Sequence, residues 1–172
     1  MDVVEAIRTV RVVRRYRDEP ITLDALRALV DAGRHAGSSK NQQRWAFVIV
    51  RDRASLQRLG DAGPYAGHVP SAAAVIALVT PTPKPGQPQS VMWDLGRAAQ
   101  NIVLAAWAAG IGSCPVTVYE QAVVREAVGI PDDRHCEYLV ALGYPEDPTD
   151  LTRPPRSGGR LALGEVLREE RW

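Results

Sequence analysis

Residues 36–50, AGSSKNQQRWAFVIV, change character midway. From Ala36 to Gln43 the side chains are mostly small or polar, with hydroxyls and amides that can bond a ligand without blocking it. From Trp45 to Val50 they are aromatic, aliphatic and β-branched, the composition of a buried strand. Polar groups on a loop anchored by a rigid strand are where binding sites are commonly built. The same residues also fit a plainer description, a helix end followed by a serine turn and a strand, with no ligand implied.

Outward from this stretch, helices and strands are mixed without a regular βαβ repeat. Upstream, residues 2–9 read as a short helix with Val3, Val4 and Ile7 on one side. Val10–Tyr16 alternates loosely between apolar and basic residues, and Asp18-Glu19-Pro20 ends it. Thr22 suits an N-cap, with Asp24 in the positive first turn, for a helix through about residue 36. Leu23, Leu26 and Val30 recur at helical spacing and give it a buried stripe. Downstream of the strand 45–50, a helix covers roughly 53–60, Gly63-Pro64 marks a turn, and Ala72–Thr80 reads as a buried strand. Residues 81–90, with four prolines, read as a connector that cannot join a sheet or helix interior.

Val91–Ala109 is the longest expected helix. Met92, Leu95, Ala99, Ile102 and Ala106 make one stripe, while Ala98, Val103, Leu104 and Trp107 carry apolar character to other faces. A helix apolar nearly all round is buried on most sides, which in a domain this small points to a second subunit. Gly110 and Gly112 close it. A strand over Ser113–Val118, a helix over Gln121–Val128 and a strand over Tyr138–Leu142 follow. From Glu146 to Gly159 the chain is rich in Pro and Gly and reads as an extended arm before a last helix at about 163–170. The pattern is that of one α+β domain spanning 1–172, with 146–172 as a C-terminal arm and short helix.

Composition narrows the function. At 172 residues and a formal charge of +1, with 45% hydrophobic and 24% charged residues, the chain is an ordinary globular protein. No nucleic-acid or membrane-surface role is expected. The exception to an even charge distribution is Arg8, Arg11, Arg14, Arg15 and Arg17, a cluster that suits a local anionic ligand or a solvated face. Cys114 and Cys136 form no CxxC. The start carries Asp2 and Glu5 and lacks an apolar core, so it does not read as a signal peptide. The apolar tract Ile102–Ile111 is too short to span a bilayer. A cytoplasmic protein is expected.

Several motifs fail on context. Gly110-Ile111-Gly112 follows a helix instead of opening one and lacks a third glycine, so it is no dinucleotide fingerprint. His35 lies near Ser38 and Ser39, but there is no G-x-S-x-G elbow. The histidines at 35, 68 and 135 have no zinc-ligand spacing. No metal and no catalytic side chain are expected.

Five stretches, in order, resemble the nitroreductase family of flavin enzymes. Ser38-Ser39-Lys40-Asn41-Gln42-Gln43-Arg44-Trp45 resembles that family's P-S-S-x-N-x-Q-P-W, with Gly37 and Arg44 at its two prolines. Ile7 to Pro20 resembles I-x-x-R-R-S-x-R-x-[FY]-x-D-x-P, with Arg11 and Arg14 at basic positions but Val10 and Val12 where an arginine and a serine usually reach the cofactor. Asp94 to Asn101 resembles D-x-G-x-A-x-x-N, and its Asp94 and Asn101 can equally serve to satisfy buried backbone groups. Gly143-Tyr144-Pro145 matches G-Y-P. Arg160 to Val166 resembles R-x-P-L-x-E-V, with Ala162 in place of proline.

The resemblance implies a nitroreductase-like fold, a central mostly antiparallel sheet flanked by helices, in an intertwined homodimer with one flavin mononucleotide (FMN) at each of two interface sites. It places Arg11 and Arg14 on the flavin phosphate, where guanidinium forks meet phosphate oxygens. Ser38, Ser39 and Asn41 come from one subunit and the arginines from the other. Pro115, Val116 and Thr117 lay backbone against the flavin ring, with the Thr117 N–H donating to N5. Arg160, then Arg156, are the C-terminal candidates for the phosphate, and Arg153 is a surface charge. Cys114 reads as a small buried hydrophobe. The implied function is an oxidoreductase that takes hydride from NADH or NADPH and reduces a nitroaromatic, quinone or similar small acceptor in a ping-pong cycle. The alternative is a dimer that sequesters flavin, or a relative that has lost tight FMN binding, which Val10 and Val12 keep open. The chain is short between the 72–80 strand and the 91–109 helix, on the substrate side.

Overall fold

A computed structural model describes residues 2–84, 86, 90–154 and 159–172. Its frame is a four-stranded sheet of β1 (Ala46–Val50), β2 (Ala74–Pro81), β3 (Gly112–Thr117) and β4 (Arg134–Gly143). The strand order is β1-β2-β4-β3 and every pairing is antiparallel. The expected α+β class is the observed one.

Alternation along β2 divides the core in two. Val75, Ala77 and Val79 face one layer, with Leu56 and Leu59 of α3 (Arg53–Leu59) and Val124 of α5 (Gln121–Val128). Ala74, Ile76 and Leu78 face the other, against Leu26 and Leu29 of α2 (Leu23–Arg34) and Leu95, Ile102 and Ala106 of α4 (Ser90–Ala108). A strand covered on both faces can be apolar throughout, which is why residues 74–79 show no polar alternation. Thr22 caps α2 as expected, its Oγ1 accepting the Ala25 N–H at 3.2 Å. No helix among the described residues is long and apolar enough to cross a membrane.

The N-terminal segment reaches the sheet after α1 (Val3–Thr9). Val12 bridges Ser113 and Tyr16 bridges Pro145. Two glycines make room for this crossing. A Cβ on Gly112 would lie 2.7 Å from Val13, and one on Gly143 would lie 2.6 Å from the Tyr16 ring. The glycine of Gly143-Tyr144-Pro145 is thus required by contact with a side chain more than a hundred residues away. Tyr16 donates its hydroxyl to Val13 O at 2.6 Å, and burial pushes its ionisation up out of reach.

Three boundaries and the buried face of one helix differ from expectation. Strand β4 begins at Arg134, not Tyr138, because Arg134, His135 and Cys136 pair with Pro81, Thr80 and Val79. Pro81 therefore does join the sheet, at the last position of β2, where a missing N–H is tolerated. The buried side of α2 is Leu26, Leu29 and Gly33, whereas Leu23 is 37% exposed. Gly33 lets α2 press against α4, since a Cβ there would lie 2.7 Å from Ile102. The last helix, α6, covers only Leu163–Val166, and the arm before it contains a short turn at Pro148–Leu151.

Candidate functional site

The loop after α2 is built around backbone strain. A short helical turn at Ser39–Asn41 is closed by the Asn41 N–H on Ser38 O at 2.9 Å, and the Gln43 N–H donates to Ser38 Oγ at 3.0 Å. Lys40, Asn41 and Gln43 sit at φ of 52°, 54° and 47°. Left-handed backbone is uncommon outside glycine, and such residues cluster at ligand sites. The Ser39 hydroxyl and the Asn41 amide nitrogen make no hydrogen bond among the described residues, and both residues are exposed. Those two groups remain available to a ligand.

One face of α4 secures this loop. Asp94, 5% exposed, accepts the Ser39 N–H on Oδ2 at 2.9 Å. Arg97 donates to Gly37 O at 3.0 Å, and Asn101 donates to Ala32 O at 3.2 Å. Asp94 and Asn101 satisfy backbone groups, one of the two roles open to them in the sequence. Arg97 escaped the sequence reading, although its place three residues after Asp94 and four before Asn101 puts all three on one side of a helix.

The second group of site residues lies on the edge strand β3. The Val118 N–H donates to Glu137 O at 2.9 Å, which sets the phase of the β3–β4 ladder. Alternation then turns the backbone of Pro115 and Thr117 away from β4. Pro115 has no N–H to lose, and the Thr117 N–H points off the sheet. The Val116 side chain is buried and, by the same alternation, its backbone N–H and C=O turn toward β4, so this residue is committed to the sheet.

Arg14 joins this edge. The Val13 N–H donates to Ser113 O at 3.0 Å, which sets Arg14 beside Cys114. Burial pushes the Cys114 thiol up, and the adjacent Arg14 guanidinium offsets part of that. Burial also holds the Cys136 thiol at about 12; Cys114 is the buried small residue expected, and Cys136 is buried likewise. Arg14 is exposed and has no carboxylate within 4.0 Å among the described residues. From Cys114 to Thr117 the strand advances about 10 Å, so Arg14, without a carboxylate partner among the described residues, and the outward Thr117 N–H lie along the same strand edge.

The remaining residues are placed differently. Arg11 folds back on its own helix end, donating to Arg8 O at 3.0 Å and Val10 O at 2.9 Å, with its Nε buried and unpartnered. Val10 packs against both core layers, and Val12 is 44% exposed. Arg160 is exposed without a hydrogen bond or ion pair among the described residues. Arg156 lies outside the described residues. Arg153 pairs with Asp150 at 2.8 Å.

The loop and the Pro115 end of the β3 edge lie on different sides of α4. The loop bonds to the Asp94–Arg97–Asn101 side of α4. Pro115 shares an apolar cavity of about 190 Å³ with Met92, Gly96 and Ala99. At 3.6 residues per turn those two sets of positions lie on roughly opposite sides of the helix.

The Nitroreductase family model matches residues 7–63 and 64–144. A protein of Archaeoglobus fulgidus assigned as an NADH dehydrogenase/NAD(P)H nitroreductase is 35% identical over 154 residues, covering 86% of this chain and 88% of that relative. A crystal structure from Parabacteroides distasonis with the same assignment is 26% identical, with a TM-score of 0.85 and 98% of each chain covered. The NADPH:FMN oxidoreductase of Vibrio harveyi, complexed with NAD+, shares the fold at 24% identity and a TM-score of 0.82, over 98% of this chain and 77% of its own. By its sequence and by its fold, the chain belongs to the nitroreductase family.

Proposed function

We propose that this protein is an FMN-dependent NAD(P)H oxidoreductase whose two sites form only in a homodimer. The observation that carries this reading is the split site. The loop holding Ser38, Ser39 and Asn41 and the cavity beside Pro115 on the β3 edge lie on opposite sides of α4, and a second copy can supply each with its missing half.

Unburied apolar side chains support the dimer. Val3, Val4 and Ile7 on α1 are 67%, 50% and 55% exposed, and Leu161, Leu163, Val166 and Trp172 of the C-terminal arm are all exposed too. Apolar patches of this kind mark interaction surfaces. A second chain under α1 and the arm would give them the burial they lack.

The residues present suit the cofactor. An exposed Arg14, with no carboxylate partner among the described residues, offers positive charge to a phosphate or to the electron-rich edge of the flavin ring, and the outward Thr117 N–H offers a fixed donor. Ser39 and Asn41 add hydroxyl and amide partners for the flavin's polar edge. When bound, FMN supplies the redox chemistry, carrying two electrons from NADH or NADPH to a nitroaromatic, quinone or related small acceptor in two half-reactions. The protein binds, orients and stabilises. Donors fixed by the strand need no reorganisation as negative charge develops beside them.

Val10 and Val12 support a second reading, a dimer that sequesters flavin without turnover, because neither valine offers a polar group to the phosphate. Steady-state oxidation of NADH or NADPH with a quinone separates the two: sustained turnover supports the enzyme, and flavin binding without turnover supports sequestration. Replacing Arg14 by glutamine should raise the FMN dissociation constant about tenfold, the cost of one charge-assisted contact. Riboflavin, which lacks the phosphate, should lose much less. Fluorescence titration with both ligands reads this directly, and an equal loss for both would place Arg14 on the ring instead.

A further inference from the structure

We infer that the polar stripe Asp94–Arg97–Asn101 is a positioning device for the flavin site, holding the loop 37–43 in a backbone conformation it would not keep alone. The inference rests on the flavin reading above and deepens it, since it assigns the affinity of the site in part to residues that do not touch the ligand.

The three side chains lie at spacings of three and four on α4 and each bonds a backbone group: Ala32 O at the end of α2, Gly37 O before the loop, and the Ser39 N–H inside it. They act on a segment in which Lys40, Asn41 and Gln43 all have positive φ. None of the three is glycine, so each residue tends to relax toward an ordinary conformation. A relaxed loop would carry the Ser39 hydroxyl and the Asn41 amide away from their present directions. Asp94 is the anchor nearest the strain: buried itself, it accepts the N–H of Ser39, one residue before Lys40. Arg97 closes the other end. A Cβ on Gly37 would lie 2.8 Å from the Arg97 guanidinium, so the glycine lets the side chain lie flat against the loop. That residue is where the family pattern has proline, and here the side chain of Arg97 holds the loop's start in place of a rigid ring.

The test uses the full-length protein in apo and FMN-loaded forms. In Asp94→Ala the Ser39 amide should lose hydrogen-exchange protection in the apoprotein, and FMN affinity should fall at least tenfold. Asp94→Asn keeps an acceptor oxygen at the same place and should stay within about threefold of the parent. Adding Lys40→Gly to Asp94→Ala relieves strain at φ +52° and should recover part of the affinity, which a generally destabilised protein would not do. Unchanged FMN affinity in Asp94→Ala, or equal losses in the alanine and asparagine variants with no recovery from Lys40→Gly, would overturn the inference. If the parent protein binds no FMN, the flavin reading fails and the inference about affinity fails with it. The exchange of Ser39 would then still decide whether Asp94 holds the loop.

Discussion

Replacing Thr117 by proline should slow reduction by NADH or NADPH by about 10²–10³-fold, the range for removing one fixed donor to developing negative charge. The reasoning is local. The bond from Val118 to Glu137 O sets the ladder so that Thr117 gives no N–H to β4. Its removal therefore breaks no sheet hydrogen bond, and Pro115 two residues earlier shows that this edge accepts proline. Thermal stability should change little. Thr117→Val retains the N–H and should leave the rate within a few-fold. Stopped-flow reduction of the two variants reads the difference, and a normal rate in Thr117→Pro would remove the backbone donor from the mechanism.

Truncating Ile76 to alanine should cost about 2–5 kcal/mol of stability, because a large side chain at a fully buried site loses its transfer free energy and leaves a cavity. Ile76 is 0% exposed at the centre of β2, against α2 and α4. Urea unfolding should show a lower midpoint with an unchanged slope. Ile7→Ala makes the contrasting case, since Ile7 is 55% exposed in the single chain. A small effect there fits an exposed residue. A large, concentration-dependent one would mean that a second copy buries it.

The fold was legible where periodicity and turn chemistry agreed. The apolar run of β2, the helical stripe of α4 and the threonine cap of α2 each carry a local signal, and all three elements form close to where the sequence puts them. The start of β4 carries no such signal. Arg134, His135 and Glu137 look like a loop, and they become strand only because residues 79–81 supply partners across the sheet. The face of α2 was misjudged for a related reason. Gly33 has no side chain to count as apolar, yet it is the point of closest approach to Ile102.

The site was legible as a set of residues and not as a geometry. Ser38, Ser39 and Asn41 form one loop, and Pro115 and Thr117 share one strand edge, but no local pattern says that α4 separates the loop from Pro115. Nor does the sequence show that Arg11 is held by its own helix end or that Arg97 grips Gly37. The Arg97 contact depends on how α2 and α4 pack, which is set far from the motif, whereas the Arg11 contacts are local bonds that compete with a ligand.

The most direct test of an interface flavin site is a titration of the purified protein with FMN, followed by absorbance and analytical ultracentrifugation, then anaerobic addition of NADH or NADPH. A dimer that binds close to one FMN per chain, with a shifted flavin spectrum that bleaches on adding the nicotinamide, is the predicted result. A chain that stays monomeric, or that binds no FMN at micromolar concentration, would contradict it.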